Sequence, residues 1–204
     1  MNQKHQEDLA HIRSMMERSS RFISLSGLSG VFAGLSALIG GLYVYQLFKV
    51  NGMDYFDGKP NYIPVKLISE LFATGLIIMA FALIFGVAFT IRKSKKYNLP
   101  IWTSATKKML FHLAVPLFAG GIFCLALIFH QNYGLVAPAT LIFYGLAVIN
   151  AEKYTFTDIK YLGFSELILG LIALFYIGYG LIFWIIGFGI LHILYGLIMF
   201  KKYK

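Results

Sequence analysis

The chain has 204 residues, 58% of them hydrophobic and 13% charged, with a mean hydropathy of +0.72 and a formal charge of +9. A soluble domain carries roughly 25% charged residues, so water is excluded as the main solvent, and several membrane spans of about 20 residues each leave no length for a separate soluble module. A nucleic-acid reader gathers its basic residues on one folded face, whereas here they flank apolar runs, so nucleic acid is excluded as a partner.

Six apolar stretches follow one another, at about 22–48, 64–91, 109–130, 134–151, 161–179 and 181–200. All but three of the 18 Lys and Arg fall in alternate gaps: Lys4, Arg13, Arg18 and Arg21; Arg92, Lys93, Lys95, Lys96, Lys107 and Lys108; Lys153 and Lys160; and Lys201, Lys202 and Lys204. Only Lys49, Lys59 and Lys66 fall in the others. Short loops rich in Lys and Arg stay in the cytoplasm. The expected fold is therefore an all-α, polytopic membrane helix bundle with six transmembrane helices and both termini inside. Its parts are a cytoplasmic amphipathic segment at 1–21, a transmembrane domain at 22–200 and a basic tail at 201–204, in a cell inner (plasma) membrane.

In chain order, residues 5–20 place Leu9, Ile12 and Met16 on one face of a short amphipathic helix. No apolar core of a cleaved signal precedes the first span, so this segment is expected to be retained. The first span carries Ser26, Gly30, Gly34, Ala37 and Gly41 on one face, a small-residue stripe that lets helix backbones approach closely. The loop at 49–63 is turn-rich, and its Asp54 and Asp57 beside Tyr55, Phe56 and Tyr62 read as a solvated connection or a weak cation-binding lip. At the start of the second span, Lys66 and Glu70 have the i, i+4 spacing of an ion pair. Trp102 in the basic loop at 92–108 is expected to anchor at the headgroups. The connections at 130–133 and 178–180 are short enough to force tight antiparallel hairpins. Cys124, the only cysteine, excludes an intrachain disulfide and reads as a packing residue.

Ionisable groups inside a span are costly and become candidate sites. His112, Glu166 and His192 are such groups, and at a helical rise they lie about 6, 8 and 12 Å from the inner boundary. Glu166 shares a face with Gly163, Gly170 and Ala173, His192 with Gly189 and Gly196, and His112 with Pro116 and Ala119. With Asn150 these residues form an expected inward-facing polar cluster, Glu166 taking a proton or cation and the histidines acting as partners. Snorkelling of His112, a headgroup contact for Glu166 and a backbone bond for His192 are the structural alternatives. Ser69-Glu70-Leu71 and Ser165-Glu166-Leu167 hint at a duplication of three spans, whose second copy would be inverted. Phosphate-loop, zinc-protease and nucleophile-elbow motifs are missing, so no catalytic residue, metal or other cofactor is expected.

The segment from Arg18 to Gly30 resembles the start of a group of small bacterial integral membrane proteins, a resemblance that implies a membrane location and no mechanism. Gly170, Gly187, Gly189 and Gly196 also look like the glycine spacing of bacterial short-repeat membrane hairpins linked to acid resistance. The expected function is a small transport or solute- or ion-binding component. The alternatives are a membrane scaffold or regulatory subunit binding a partner or lipid, and, third, an intramembrane enzyme or b-type haem protein. Expected partners are the bilayer, anionic headgroups at the basic inner loops, and a homo- or hetero-oligomer.

Overall fold

The structure, a computed structural model, describes residues 21–22, 25–52 and 64–203. The helix expected at 5–20 and most of the loop at 49–63 lie outside the described residues, as does Lys204. The described residues are helical throughout, without strands: α1 Gly27–Val50, α2 Val65–Lys96, α3 Ser104–Phe129, α4 Val136–Ala151, α5 Ile159–Ala173, α6 Gly180–Trp184 and α7 His192–Lys202. A π-helical segment, Ile185–Leu191, joins α6 to α7, making one continuous last helix. Five helices are long and apolar enough to cross a membrane: α1, α2, α3, the run Tyr133–Tyr154 that contains α4, and Gly180–Lys202.

The fifth stretch is the exception. Helix α5 ends at Ala173, and its 15 residues rise about 22 Å, less than the roughly 30 Å of a hydrocarbon core. The rest of the expected stretch turns instead, through Phe175 and Tyr176 to Gly178 at φ +103°. Glycine adopts this backbone at no steric cost, so the chain can turn back there. Helices α2 and α3 are closed in the same left-handed way by Asn98 and Gln131, with amides of the following residues bonding back to Ser94 and Leu127 carbonyls.

Glycine decides which helices meet. A Cβ on Gly34 would lie 2.6 Å from the Gly189 carbonyl oxygen, one on Gly196 would lie 2.6 Å from Val31 N, and Gly30 faces Gly196 at 3.2 Å. Helix α1 therefore crosses the last helix backbone against backbone, with Ala37 buried and Gly41 under Ile185. Ser26, at the end of the stripe, is the α1 N-cap residue, and its carbonyl accepts from Ser29. Helices α4 and α5 form a second close pair through Gly145, Gly163 and Gly170. Helix α2 packs on α1 and helix α3 on α4, each leaving a broad apolar face outward. Helix α1 has α2 and the last helix as neighbours, whereas α4 has α3, α5 and the last helix. The two three-span halves also differ in length, since α2 has 32 residues and α5 has 15.

One end of the bundle is tied by polar contacts. Phe22 N donates to Tyr154 O, Thr155 Oγ1 donates to Phe22 O, and Lys93 Nζ donates to the carbonyls of Leu25 and Tyr203 at 3.1 and 3.0 Å. Asp158 accepts from Lys202 Nζ at 2.6 Å and from Tyr203 Oη at 2.8 Å. The start of α1, the end of α2, the α4–α5 connection and the C-terminus therefore share this end. The Lys202 hydrogen bond holds the Asp158 carboxyl below the usual carboxylate range. A lowered folded value stabilises above the unfolded pKa of about 4, and that stabilisation is lost as pH falls through the folded value. Asp158→Asn is expected to lower the melting temperature by a small amount at pH 7, less in high salt, and to leave it unchanged in acid strong enough to protonate Asp158, as differential scanning fluorimetry reads it.

Candidate functional site

Glu166 is wholly buried, at 0% exposure, where the α4–α5 pair meets the π segment. The room it occupies comes from a missing side chain: a Cβ on Gly187 would lie 2.4 Å from Glu166 Oε2. His192 stands at the head of α7, 6% exposed, with Nδ1 3.2 Å from Glu166 Oε1 and 3.1 Å from the Gly187 carbonyl oxygen. A π turn brings residues five apart onto one face, which is how an imidazole at 192 reaches a carbonyl at 187. The Nδ1 hydrogen goes to Gly187, so the contact with Glu166 is a close approach without a hydrogen bond. Neither carboxylate oxygen has a hydrogen-bond partner among the described residues. On the other side of the ring, Nε2 lies 2.8 Å from the Tyr144 hydroxyl, which donates to it in the tautomer that protonates Nδ1. Tyr144 and Phe188 pack on the imidazole at centroid distances of 5.2 and 5.7 Å. The site is a phenol, an imidazole and a carboxyl in series, one from each of three helices.

His112 and Asn150 form a separate group. Pro116 lacks an N–H, so the carbonyl four residues earlier, that of His112, has no helical donor. Asn150 Nδ2 supplies the missing bond at 3.0 Å. His112 Nε2 lies 3.1 Å from the Tyr154 hydroxyl, and the two rings stack at 4.8 Å. Tyr144 and Asn150 are six residues apart on α4, about 9 Å, so the two groups lie at different levels. The expected four-residue cluster is therefore two: Glu166 with His192, and His112 with Asn150. Asn150→Leu is expected to cost about 1–3 kcal/mol by orphaning the His112 carbonyl, and Pro116→Ala to remove most of that cost by restoring the helical donor. A double-mutant cycle on melting temperatures reads the coupling.

Lys66 and Glu70 form no ion pair among the described residues. Tyr144 and Gly187 escaped the sequence reading, although a tyrosine in the middle of an apolar span always raises the question of its hydroxyl's partner. Trp102 is exposed beside Lys107 at the polar end, and Cys124 is half-buried in α3. No group of three or more His, Cys, Asp or Glu side chains able to hold a metal ion occurs among the described residues.

The fold and site define a class, an all-helical bundle with several helices long and apolar enough to span a membrane and a carboxyl group buried without a hydrogen bond. No protein-family model matches the chain, and no curated protein and no solved structure is significantly similar to it.

Proposed function

We propose that the chain is an inner-membrane protein with five full-length spans, a shorter sixth membrane helix, α5, and both termini cytoplasmic, and that it works as a small proton-linked transport or ion-binding component whose proton-accepting group is Glu166. One observation carries this reading: a fully buried carboxyl with two unbonded oxygens, 3.2 Å from an imidazole. A carboxylate without hydrogen bonds in such a place is very costly, and that cost is the physical basis for reading Glu166 as a group that accepts a proton or cation. His192 and Tyr144 position the acceptor and share its field. The sidedness rests on the described basic residues, most of which gather at the end shared by the start of α1, the α2–α3 loop, the α4–α5 connection and the end of the last helix.

The scaffold reading loses its main support, because the stripe of α1 is used within the chain, Gly30 and Gly34 facing Gly196 and Gly189. The haem reading also weakens, since Nε2 of His192 and of His112 each lies within hydrogen-bond distance of a tyrosine hydroxyl. The test is electrometry of proteoliposomes on a solid-supported membrane. A pH jump is expected to give a transient current as protons enter the wild-type protein, and Glu166→Gln to abolish it. An equal displaced charge in Glu166→Gln would overturn the reading.

A further inference from the structure

Helix α5 and the last helix run antiparallel and touch at two levels. At the tied end Lys202 and Tyr203 donate to Asp158, and deeper in, His192 meets Glu166. Between these levels α5 presents positions 158, 162 and 166 at a spacing of four, and the last helix presents 192, 195, 199 and 202 at spacings of three and four, so each set shares one face. Leu162 and Met199, which occupy positions on these two faces, are both buried. Tyr195 is the polar exception. Its hydroxyl is buried without a hydrogen-bond partner among the described residues, like both oxygens of Glu166, and the groups that act on it electrostatically are Asp158 and Tyr203. Three orphaned oxygens thus lie on a strip that begins at a partly exposed carboxylate and ends at a buried one. Orphaned buried oxygens are the groups that ordered water satisfies.

We propose that Tyr195 relays protons along this strip from the tied end to Glu166, with Asp158 at the mouth. The proposal rests on the reading of Glu166 as the proton-accepting group. A hydronium ion drawn to the Asp158 carboxylate gives up a proton and is left as water, and that proton bonds to the phenol oxygen as the phenol releases its own proton toward Glu166. One O–H bond forms and one breaks at that oxygen, the phenol is neutral before and after, and the Glu166 carboxylate becomes a carboxylic acid. Water bridges the gaps wider than one hydrogen bond. The groups facing Glu166 are Tyr144 of α4 and His192 of the last helix, the π segment contributing only Gly187. Those around the mouth are Lys202, Tyr203 and Lys160.

The experiment uses the pH-jump currents of reconstituted full-length protein and separates rate from capacity. Tyr195→Phe keeps the ring and removes the relay, so the total displaced charge and its half-maximal pH are expected to match wild type while the current decays at least about tenfold more slowly. Asp158→Asn, which leaves the bundle interior intact, is expected to slow the decay in the same way. Wild-type decay in both variants would overturn the path, and so would a loss of displaced charge in folded Tyr195→Phe, which marks a structural role. Retention of wild-type charge by Glu166→Gln would instead remove the reading on which the path rests.

Discussion

Methionine at position 166 is expected to make this protein more stable and at the same time inert to pH jumps. The carboxyl is buried with no hydrogen bond to either oxygen, while the one nearby donor, His192 Nδ1, has its partner in the Gly187 carbonyl. Removing Glu166 therefore orphans nothing. A thioether of similar length fills the space beside Gly187 and Leu141, and it removes the cost of a buried polar group left without a hydrogen bond, about 1–3 kcal/mol. The melting temperature of Glu166→Met should rise at pH 7, whereas removing one partner of a well-formed buried ion pair costs about 3–5 kcal/mol. A fall of that size would show that Glu166 is ionised and paired with His192. The sign of the shift thus decides which of two descriptions of the same 3.2 Å contact is right. A gain in stability together with a loss of response is the exchange expected of a functional group held in an unfavourable place.

The second large effect concerns the crossing of α1 with the last helix. An alanine at position 196 would place its Cβ 2.6 Å from Val31 N and 2.7 Å from the Gly27 carbonyl oxygen. These are backbone atoms of another helix and cannot rotate away, so the helices must separate along the whole contact. Gly196→Ala is expected to cost at least about 3 kcal/mol, the upper range for an overpacked contact. Gly34→Ala, which meets the Gly189 carbonyl at 2.6 Å, should do the same. Alanine at Gly75, Gly86 or Gly121 meets nothing within 4 Å and should stabilise by up to about 1 kcal/mol through helix propensity. One series of single methyl additions, read by thermal unfolding in detergent, should therefore split into two groups of opposite sign. A uniform response would contradict the crossing.

The residues that were legible in the sequence obey local rules. Hydropathy marks α1, α2, α3, α4 and the last helix because the bilayer demands a long apolar run whatever the partners are. The stripe at Gly30 and Gly34 is readable because close backbone approach needs small residues at helical spacing. Glu166 stood out as an ionisable group on a glycine face, and it is the face that α5 buries. Asn150 was grouped with it by depth alone. The better signal was Pro116, which fixes in advance that the His112 carbonyl needs a donor from elsewhere. What the pattern did not carry is non-local or depends on backbone form. The π segment at Ile185–Leu191 has the hydropathy of an ordinary helix, yet it sets His192 over Gly187 and makes room for the carboxyl. Tyr144 joins the site only because α4 packs against α5 and the last helix. The early end of α5 at Ala173 falls inside the apolar run 161–179, where hydropathy gives no sign of the turns at Phe175 and Tyr176 that precede Gly178.

The central claim is that Glu166 binds a proton inside the bundle, and infrared difference spectroscopy of the purified protein tests it most directly. A pH titration of wild type and of Glu166→Gln should show one protonated carboxyl band in the wild type that bleaches as the pH is raised and is absent from the variant. Superimposable spectra of the two proteins across the titration would contradict it.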